Sequence, residues 1–452
     1  MTGRLAVKTV AVLIFAMVLW WGCQQVPVEP SIRSGLFVFV LAAVFWLTEL
    51  VHLAFTALLI PVLAILLGIA TPEQAFQNFA HPIIFLFLGG FALAAAFRAH
   101  GLDRDIASLI IHATGSRPLL ACLAFFLVAA MLSMWISNTA TAAMLMPIAL
   151  GFLSNANAST QARLYWFVLL GIAYSASVGG MGTIIGSPPN AIAAATLQLS
   201  FTDWLRLVLP VVVIALPLLW LALFVLIRPN TSALQLDGRV SDSRLVWTRE
   251  KIMVLGIFVV TASAWVLGRP LGEFFGVDSQ MDALVAMMAT VVLGFSGLLP
   301  WKQLQDNTDW GCLMLFGGGL TLSFLLLETG TSAWMAAQLG VYLQEMPLWL
   351  LVCVLLLFVI FMTEFSSNTA LAALLIPSFA ITAEYLHLDV EQLTVAIAVA
   401  ASCAFMLPVA TPPNAIVFGT GFVPQRVMMR FGLVLNIGAA FLLTLMFYRQ
   451  LE

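Results

Sequence analysis

The tripeptide Ser137-Asn138-Thr139 interrupts a run of apolar residues, and the same tripeptide, Ser367-Asn368-Thr369, interrupts another roughly 230 residues later. A second shared signature follows each at nearly the same distance. It reads Gly186-Ser187-Pro188-Pro189-Asn190-Ala191-Ile192 in the first half and Ala410-Thr411-Pro412-Pro413-Asn414-Ala415-Ile416 in the second. Matched polar breaks in matched order restrict the chain to two copies of one structural unit, and duplicated helix breakers inside apolar segments are the sequence mark of a binding site in a secondary carrier.

The surroundings of these breaks settle the solvent. Hydrophobic residues make up 62% of the chain and charged residues 9%, against about a quarter charged in a soluble domain. The chain therefore reads as an all-α polytopic membrane protein, because only helices or closed barrels satisfy their backbone in hydrocarbon. Apolar windows long enough to cross lie near Val7–Gly22, Gly35–Leu50, Leu53–Ile69, Ile84–Phe97, Leu164–Gly180, Leu205–Ile227, Met253–Leu267, Leu284–Leu299, Cys312–Leu327, Leu393–Leu407 and Phe431–Phe447. That gives about eleven transmembrane helices.

Two further apolar segments, Leu119–Leu153 and Leu348–Ala380, each hold enough residues for two helices and carry a Ser-Asn-Thr near the middle. They read as re-entrant helical hairpins, at about 118–154 and 347–383, whose polar tips lie at depth because protein and water cover them. Charge placement favours this over single crossings. With the N-terminus cytoplasmic and both hairpins returning to their own side, all but Arg33, Arg206, Arg269 and Arg449 of the 18 Lys and Arg fall inside. Hairpin one then enters from the cytoplasm and hairpin two from outside.

The repeat extends beyond the motifs, since Leu86–Leu88 with Gly89-Gly90 aligns with Met314–Phe316 and Gly317-Gly318. The expected organisation is a first transmembrane helix at 1–30, repeat one at 31–228 with a broken helix near 163–198, a cytoplasmic linker at 229–251, and repeat two at 252–452 with a broken helix near 391–421. An odd number of crossings separates equivalent elements, which inverts one half relative to the other. Met1–Gly22 resembles a signal sequence but lacks a small-residue cleavage site, so it reads as a retained helix.

Quieter signals exclude other classes. A net charge of −3 rules out a strongly basic nucleic-acid binder. Cys23, Cys122, Cys312, Cys353 and Cys403 have no metal or redox spacing and read as packing residues or unpaired thiols. His52, His81, His100, His112 and His387 fall near predicted membrane boundaries and read as interfacial. The apolar segments hold no HExxH, no nucleophile with a base and no metal cluster, which disfavours an enzyme. Dead-end hairpins favour alternating access over the continuous pore of a channel.

At the breaks, a helix start beside each Ser-Asn-Thr leaves backbone N–H groups unpaired and the positive dipole end exposed, which suits an anion. In each Pro-Pro signature two backbone donors are missing and the preceding residue is held out of helical geometry, leaving carbonyls free. Free carbonyls with Ser, Thr and Asn oxygens suit a hard cation such as sodium. Segments Ser133–Pro147, Thr183–Ile192 and Leu407–Ile416 contain no Lys, Arg, His, Asp or Glu, and Thr363–Pro377 contains only Glu364. A multiply charged anion there has no fixed counter-charge, so cations must bind beside it; the scarcity of titratable groups argues against proton coupling. Glu364 reads equally as a structural hydrogen-bond group or as a residue of gating or protonation.

Taken together, the paired signatures and the sequence Ser133-Met-Trp-Ile-Ser-Asn-Thr-Ala-Thr resemble the divalent anion:sodium symporters, particularly the bacterial sodium/dicarboxylate branch, over essentially the whole chain. The resemblance implies an inverted repeat of about eleven helices with two hairpins, joined as a homodimer through a scaffold domain and working by an elevator movement of a transport domain in the bacterial inner membrane. It places one sodium at Ser133, Ser137, Asn138 and the carbonyl of Gly186, and a second at Thr363, Ser366, Asn368 and the carbonyl of Ala410. It places a dicarboxylate between Asn138 with Thr139 and Asn368 with Thr369, with Ser187, Pro188, Thr411 and Pro412 completing the pocket. The implied activity is sodium-driven import of C4 dicarboxylates such as succinate, malate or fumarate, with no prosthetic group. The alternatives on the same fold are an exchanger, or a carrier of citrate, 2-oxoglutarate or sulfate.

Overall fold

Breakers and caps set the helix boundaries in the computed structural model, which describes residues 15–106, 117–154, 160–231, 247–277, 280–343, 346–448 and 451. Residues 15–24 are helical. The start of the expected first helix, His112, Arg449 and most of the expected linker, residues 232–246, lie outside the described residues.

The first half runs α1 (Pro30–Thr48), α2 (Leu53–Leu66), α3 (Pro72–Phe76), a 3-10 turn, α4 (Pro82–Ala99), α5 (Pro118–Ser133), α6 (Asn138–Leu153), α7 (Ala162–Gly180), α8 (Pro188–Leu197) and α9 (Phe201–Ile227). The second half runs α10 (Arg249–Val266), α11 (Gly268–Phe275), α12 (Met281–Phe295), α13 (Trp301–Asn307), α14 (Trp310–Glu328), α15 (Thr331–Leu343), α16 (Leu348–Thr363), α17 (Asn368–Tyr385), α18 (Val390–Ala401), α19 (Pro412–Gly419) and α20 (Gln425–Phe447). Starts are fixed locally. Thr71 and Ser200 form capping boxes with Gln74 and Asp203, while His52 and His81 accept from Ala54 N and Ile83 N at 3.3 Å as caps of α2 and α4.

Among the described residues 6 helices are long and apolar enough to cross a bilayer alone, with α3 to α4 taken as one span. Several expected crossings come out shorter. The windows at Leu53–Ile69 and Leu284–Leu299 end in turns at Gly68 and Gly297, both at positive φ, so α2 and α12 stop after 14 and 15 residues. The window at Leu393–Leu407 ends as helix at Ala401, where the chain opens into the break before Pro412. α10 meets α11 at a bend of 82°. The legs α5, α6 and α16 are 16 residues each, about 24 Å at ~1.5 Å per residue, less than the ~30 Å of a hydrocarbon core.

The helices form two groups by their contacts, and α14 and α15 pack against α17 between them. In one, α5 and α6 lie on α7, α17 lies on α18 and α8, α16 lies on α20, and α9 covers α7. At its centre α7 and α18, beyond their first turns, are almost wholly buried and mostly apolar, the pattern of a helix surrounded by others. In the other body, α4 packs on α12 and α14 packs on α2. These contacts are reciprocal. A methyl at Gly89 would lie 2.6 Å from Ala286 Cβ, and a methyl at Gly318 would lie 2.6 Å from both Cα and Cβ of Ala57. The same sequence interval separates Gly89 from Gly318 and Ala57 from Ala286. The rings of Phe87 and Phe316, related by that interval, meet edge to face at 4.9 Å. This register pairs Gly89 with Gly318, one residue along from the alignment of Gly89 with Gly317 drawn from sequence.

Candidate functional site: a cavity at four helix starts

Helices α6, α8, α17 and α19 begin at Ser137, Ser187, Ser367 and Thr411, and all of these N-cap residues line one cavity of about 340 Å³. Each helix start carries roughly half a positive charge, so the cavity receives several dipole ends at once. Ser137 Oγ accepts from Ala140 N and Thr411 Oγ1 from Asn414 N, each at 3.3 Å. The N–H groups of Asn138, Thr139, Asn368 and Thr369 come first in their helices and have no acceptor within them. In α8 and α19, prolines occupy the first positions, which keeps the dipole and removes the donors.

The cavity brings together Asn138, Thr139, Ser187, Pro188, Asn368, Thr369, Thr411 and Pro412, the eight residues singled out from sequence for an anion. Phe87, Phe91 and Trp135 supply apolar wall. Among the described residues no Lys, Arg or His lines it; the charged lining residues are Glu49 and Asp309, both exposed.

Behind each tripeptide sits a cluster of oxygens. In the first half Ser133 Oγ donates to Asn138 Oδ1 at 2.5 Å. A methyl at Gly180 would lie 2.2 Å from Asn138 Oδ1, and one at Gly186 would lie 2.4 Å from Gly180 O and 3.0 Å from Ser133 O. Only glycine lets these backbones approach, and the result is a cradle of carbonyl, hydroxyl and amide oxygens without a charged side chain. In the second half the single proton of Thr363 Oγ1 is within reach of both Asn368 Oδ1 and Ala401 O. Ser366 Oγ is buried with no hydrogen-bond partner, while Ser367, in register with Ser137, lines the cavity. Both donor sets fit a hard cation that takes oxygen ligands.

Sequence reasoning missed what the asparagines of the Pro-Pro-Asn signatures do. Asn190 Nδ2 donates to Gly180 O at 2.9 Å, Met181 O at 3.2 Å and Thr183 O at 2.7 Å. Asn414 Nδ2 donates to Ala404 O and Leu407 O, each at 3.1 Å. Both side chains are fully buried and tie the start of the short helix to the break, fixing where the remaining carbonyls point. Their recurrence at one motif position was the available signal. Glu364 holds the second break from outside: its carboxyl group accepts from Met406 N and Leu407 N at 2.8 Å and from Asn436 Nδ2 at 2.7 Å. Met134 occupies the matching position in hairpin one, where Thr183 Oγ1 instead donates to Met134 O at 2.5 Å.

The chain is similar to known transporters along nearly its whole length. The family model described as the sodium:sulfate symporter transmembrane region matches residues 4–450. An uncharacterized transporter of Haemophilus influenzae is 43% identical over 98% of this chain and 97% of its own length. The sodium-dependent dicarboxylate transporter SdcS of Staphylococcus saprophyticus is 32% identical over 93% of this chain and 87% of its own. The solved structure of the Alcanivorax borkumensis YdaH transporter, 14% identical, shares the fold with a TM-score of 0.56 over 82% of this chain and 86% of that one. A cavity at converging helix starts, apolar helices around it and a match along nearly the entire sequence lead to one conclusion: the chain is an integral membrane transporter, not an enzyme, and belongs to the sodium:sulfate symporter family.

Proposed function

We propose that this protein is a sodium-coupled symporter that imports C4 dicarboxylates such as succinate. The observation that carries this reading is the convergence of four helix starts on a cavity lined by no cationic side chain. A dianion there meets N–H groups and dipole ends, but its second charge requires mobile cations. The two oxygen clusters stand directly behind the tripeptides and share Asn138 and Asn368 with the cavity. A sodium on Ser133, Ser137, Asn138 and Gly186, with another on Thr363, Ser366, Asn368 and Ala410, therefore pre-positions both amides for the anion. Coupling follows, because an interaction shared by two ligands makes each raise the affinity of the other. One carboxylate is then held by Asn138 and Thr139 and the other by Asn368 and Thr369, with Ser187, Pro188, Thr411 and Pro412 closing the sides.

The inverted topology, with a cytoplasmic N-terminus, puts Glu49 and Asp309 on the cytoplasmic side, so the cavity opens inward in this state. Division into a site-bearing body and a body built on α2, α4, α12 and α14 suits an elevator movement of the first past the second, with the second forming a homodimer. The relative named SdcS supports sodium and a dicarboxylate as the transported pair.

Radiolabelled succinate uptake into proteoliposomes tests the reading, comparing an inward sodium gradient with potassium or choline. Accumulation that needs sodium and no internal dicarboxylate is expected. Uptake that ignores sodium but requires internal dicarboxylate would make the protein an exchanger and overturn the coupling.

A further inference from the structure

Arg163 at the start of α7, Arg228 after the end of α9 and Arg430 in the first turns of α20 come together, with Trp166, around a cleft of about 440 Å³ that shares no lining residue with the candidate site. All three arginines are exposed, and among the described residues none has a carboxylate within ion-pair distance. Three like charges from separate helices repel unless something negative joins them. Below them α9 and α20 continue along a cavity of about 290 Å³ lined by apolar side chains, between α7, α9, α18 and α20. The two spaces adjoin, because Ala222 and Val434 line the lower one and Val225 and Phe431, one turn away on each helix, line the upper. On α9 the apolar part runs from Val211 to Ala222, about 16 Å at ~1.5 Å per residue and close to the depth of one leaflet. Gly438 keeps the slot open, since a methyl there would meet nothing within 4 Å. Trp166 donates to Phe422 O at 3.1 Å beside the arginines, a tryptophan placement typical of the bilayer interface.

We infer that this cleft is a binding site for an anionic phospholipid, with its phosphate on Arg163, Arg228 and Arg430 and one acyl chain in the slot below. Guanidinium groups match phosphate oxygens in bidentate geometry. Basic pockets between membrane helices select anionic headgroups for this reason. A soluble phosphate uses the arginines and leaves the slot unexplained; a zwitterionic lipid uses the slot and leaves the arginines unexplained. Since α9 and α20 pack on α7, α16 and α18, the lipid is seated on the body that bears the transport site.

Native mass spectrometry of the purified protein in mild detergent tests this, with phosphatidylglycerol and phosphatidylcholine of identical acyl chains as probes. Phosphatidylglycerol adducts are expected to survive activation that strips phosphatidylcholine. The triple variant Arg163→Gln, Arg228→Gln, Arg430→Gln is expected to bind phosphatidylglycerol about a hundredfold more weakly. Gly438→Leu, which changes no charge and extends from a position where a methyl meets nothing within 4 Å, is expected to weaken it too, and single Arg430→Gln to give an intermediate loss should the triple variant fold poorly. Equal retention of the two lipids, unchanged retention in Gly438→Leu and Arg430→Gln, or displacement by millimolar glycerol 3-phosphate would overturn the proposal.

Discussion

Asn436 of α20 donates a 2.7 Å hydrogen bond to Glu364 at the end of α16, and the same asparagine accepts from Phe405 N at 3.2 Å. Tyr174 OH donates to Phe405 O at 2.6 Å. The segment Phe405–Leu407 is thereby held from three helices, and it leads directly to Ala410 and Thr411. Glu364→Gln keeps the shape but turns an amide donor toward a backbone N–H. The expected cost is about 1–3 kcal/mol of stability, read as a lower midpoint of thermal unfolding in detergent. In a double-mutant cycle, Glu364→Ala and Asn436→Ala should be strongly non-additive, because each removes the bond between them.

Thr139→Val and Thr369→Val remove one hydroxyl from each helix start and keep the volume. A hydrogen bond to a charged group contributes about 1.5–3 kcal/mol, so each should raise the KM for succinate about tenfold or more with little change in melting temperature. Asn138→Ala and Asn368→Ala should differ in kind, lowering the apparent affinities for sodium and for succinate together. A sodium-jump titration at several succinate concentrations separates the two behaviours.

Asn190→Leu and Asn414→Leu leave the cavity lining untouched and delete the ties that aim the break carbonyls. Loss of such an outer partner costs a metal site about ten- to a hundredfold in affinity. The expected outcome is a sodium half-saturation raised by that factor, with maximal uptake at high sodium recovering most of its value. If sodium dependence is unaltered in both variants, these asparagines do not orient a cation cage.

Gly89→Val and Gly318→Val drive a side chain into Ala286 and Ala57 at a helix crossing with no space. Overpacking of about 1–3 kcal/mol follows for each, measurable as a lowered melting temperature. Gly256→Ala, where a methyl meets nothing within 4 Å, serves as the control and should not destabilise.

The tripeptides and the Pro-Pro signatures were legible because they break apolar runs, and a break is visible without knowing what surrounds it. Their convergence on one cavity was foreshadowed by duplication alone. Other features depend on distant partners that periodicity does not encode. Glu364 had an ambiguous reading because its three donors come from residues 406, 407 and 436. The register of Gly89 with Gly318 appears only once each is seen against the other half's alanine. Helices α2 and α12 came out short because Gly68 and Gly297 adopt positive φ inside runs that remain apolar by composition. Arg163, Arg228 and Arg430 were counted only as topology signals, being scattered along the sequence.

The crossed glycine contacts bear on how the chain is made. Gly89 reaches the membrane long before Ala286 exists: at roughly 5–20 residues per second, synthesis of the intervening segment takes about 10–40 s. Through that interval the flat face of α4 has only lipid, or a chaperone, against it, and α2 waits still longer for Gly318. The first half is thus a prolonged intermediate with open helix grooves, and insertion of the second half acts as its closing step.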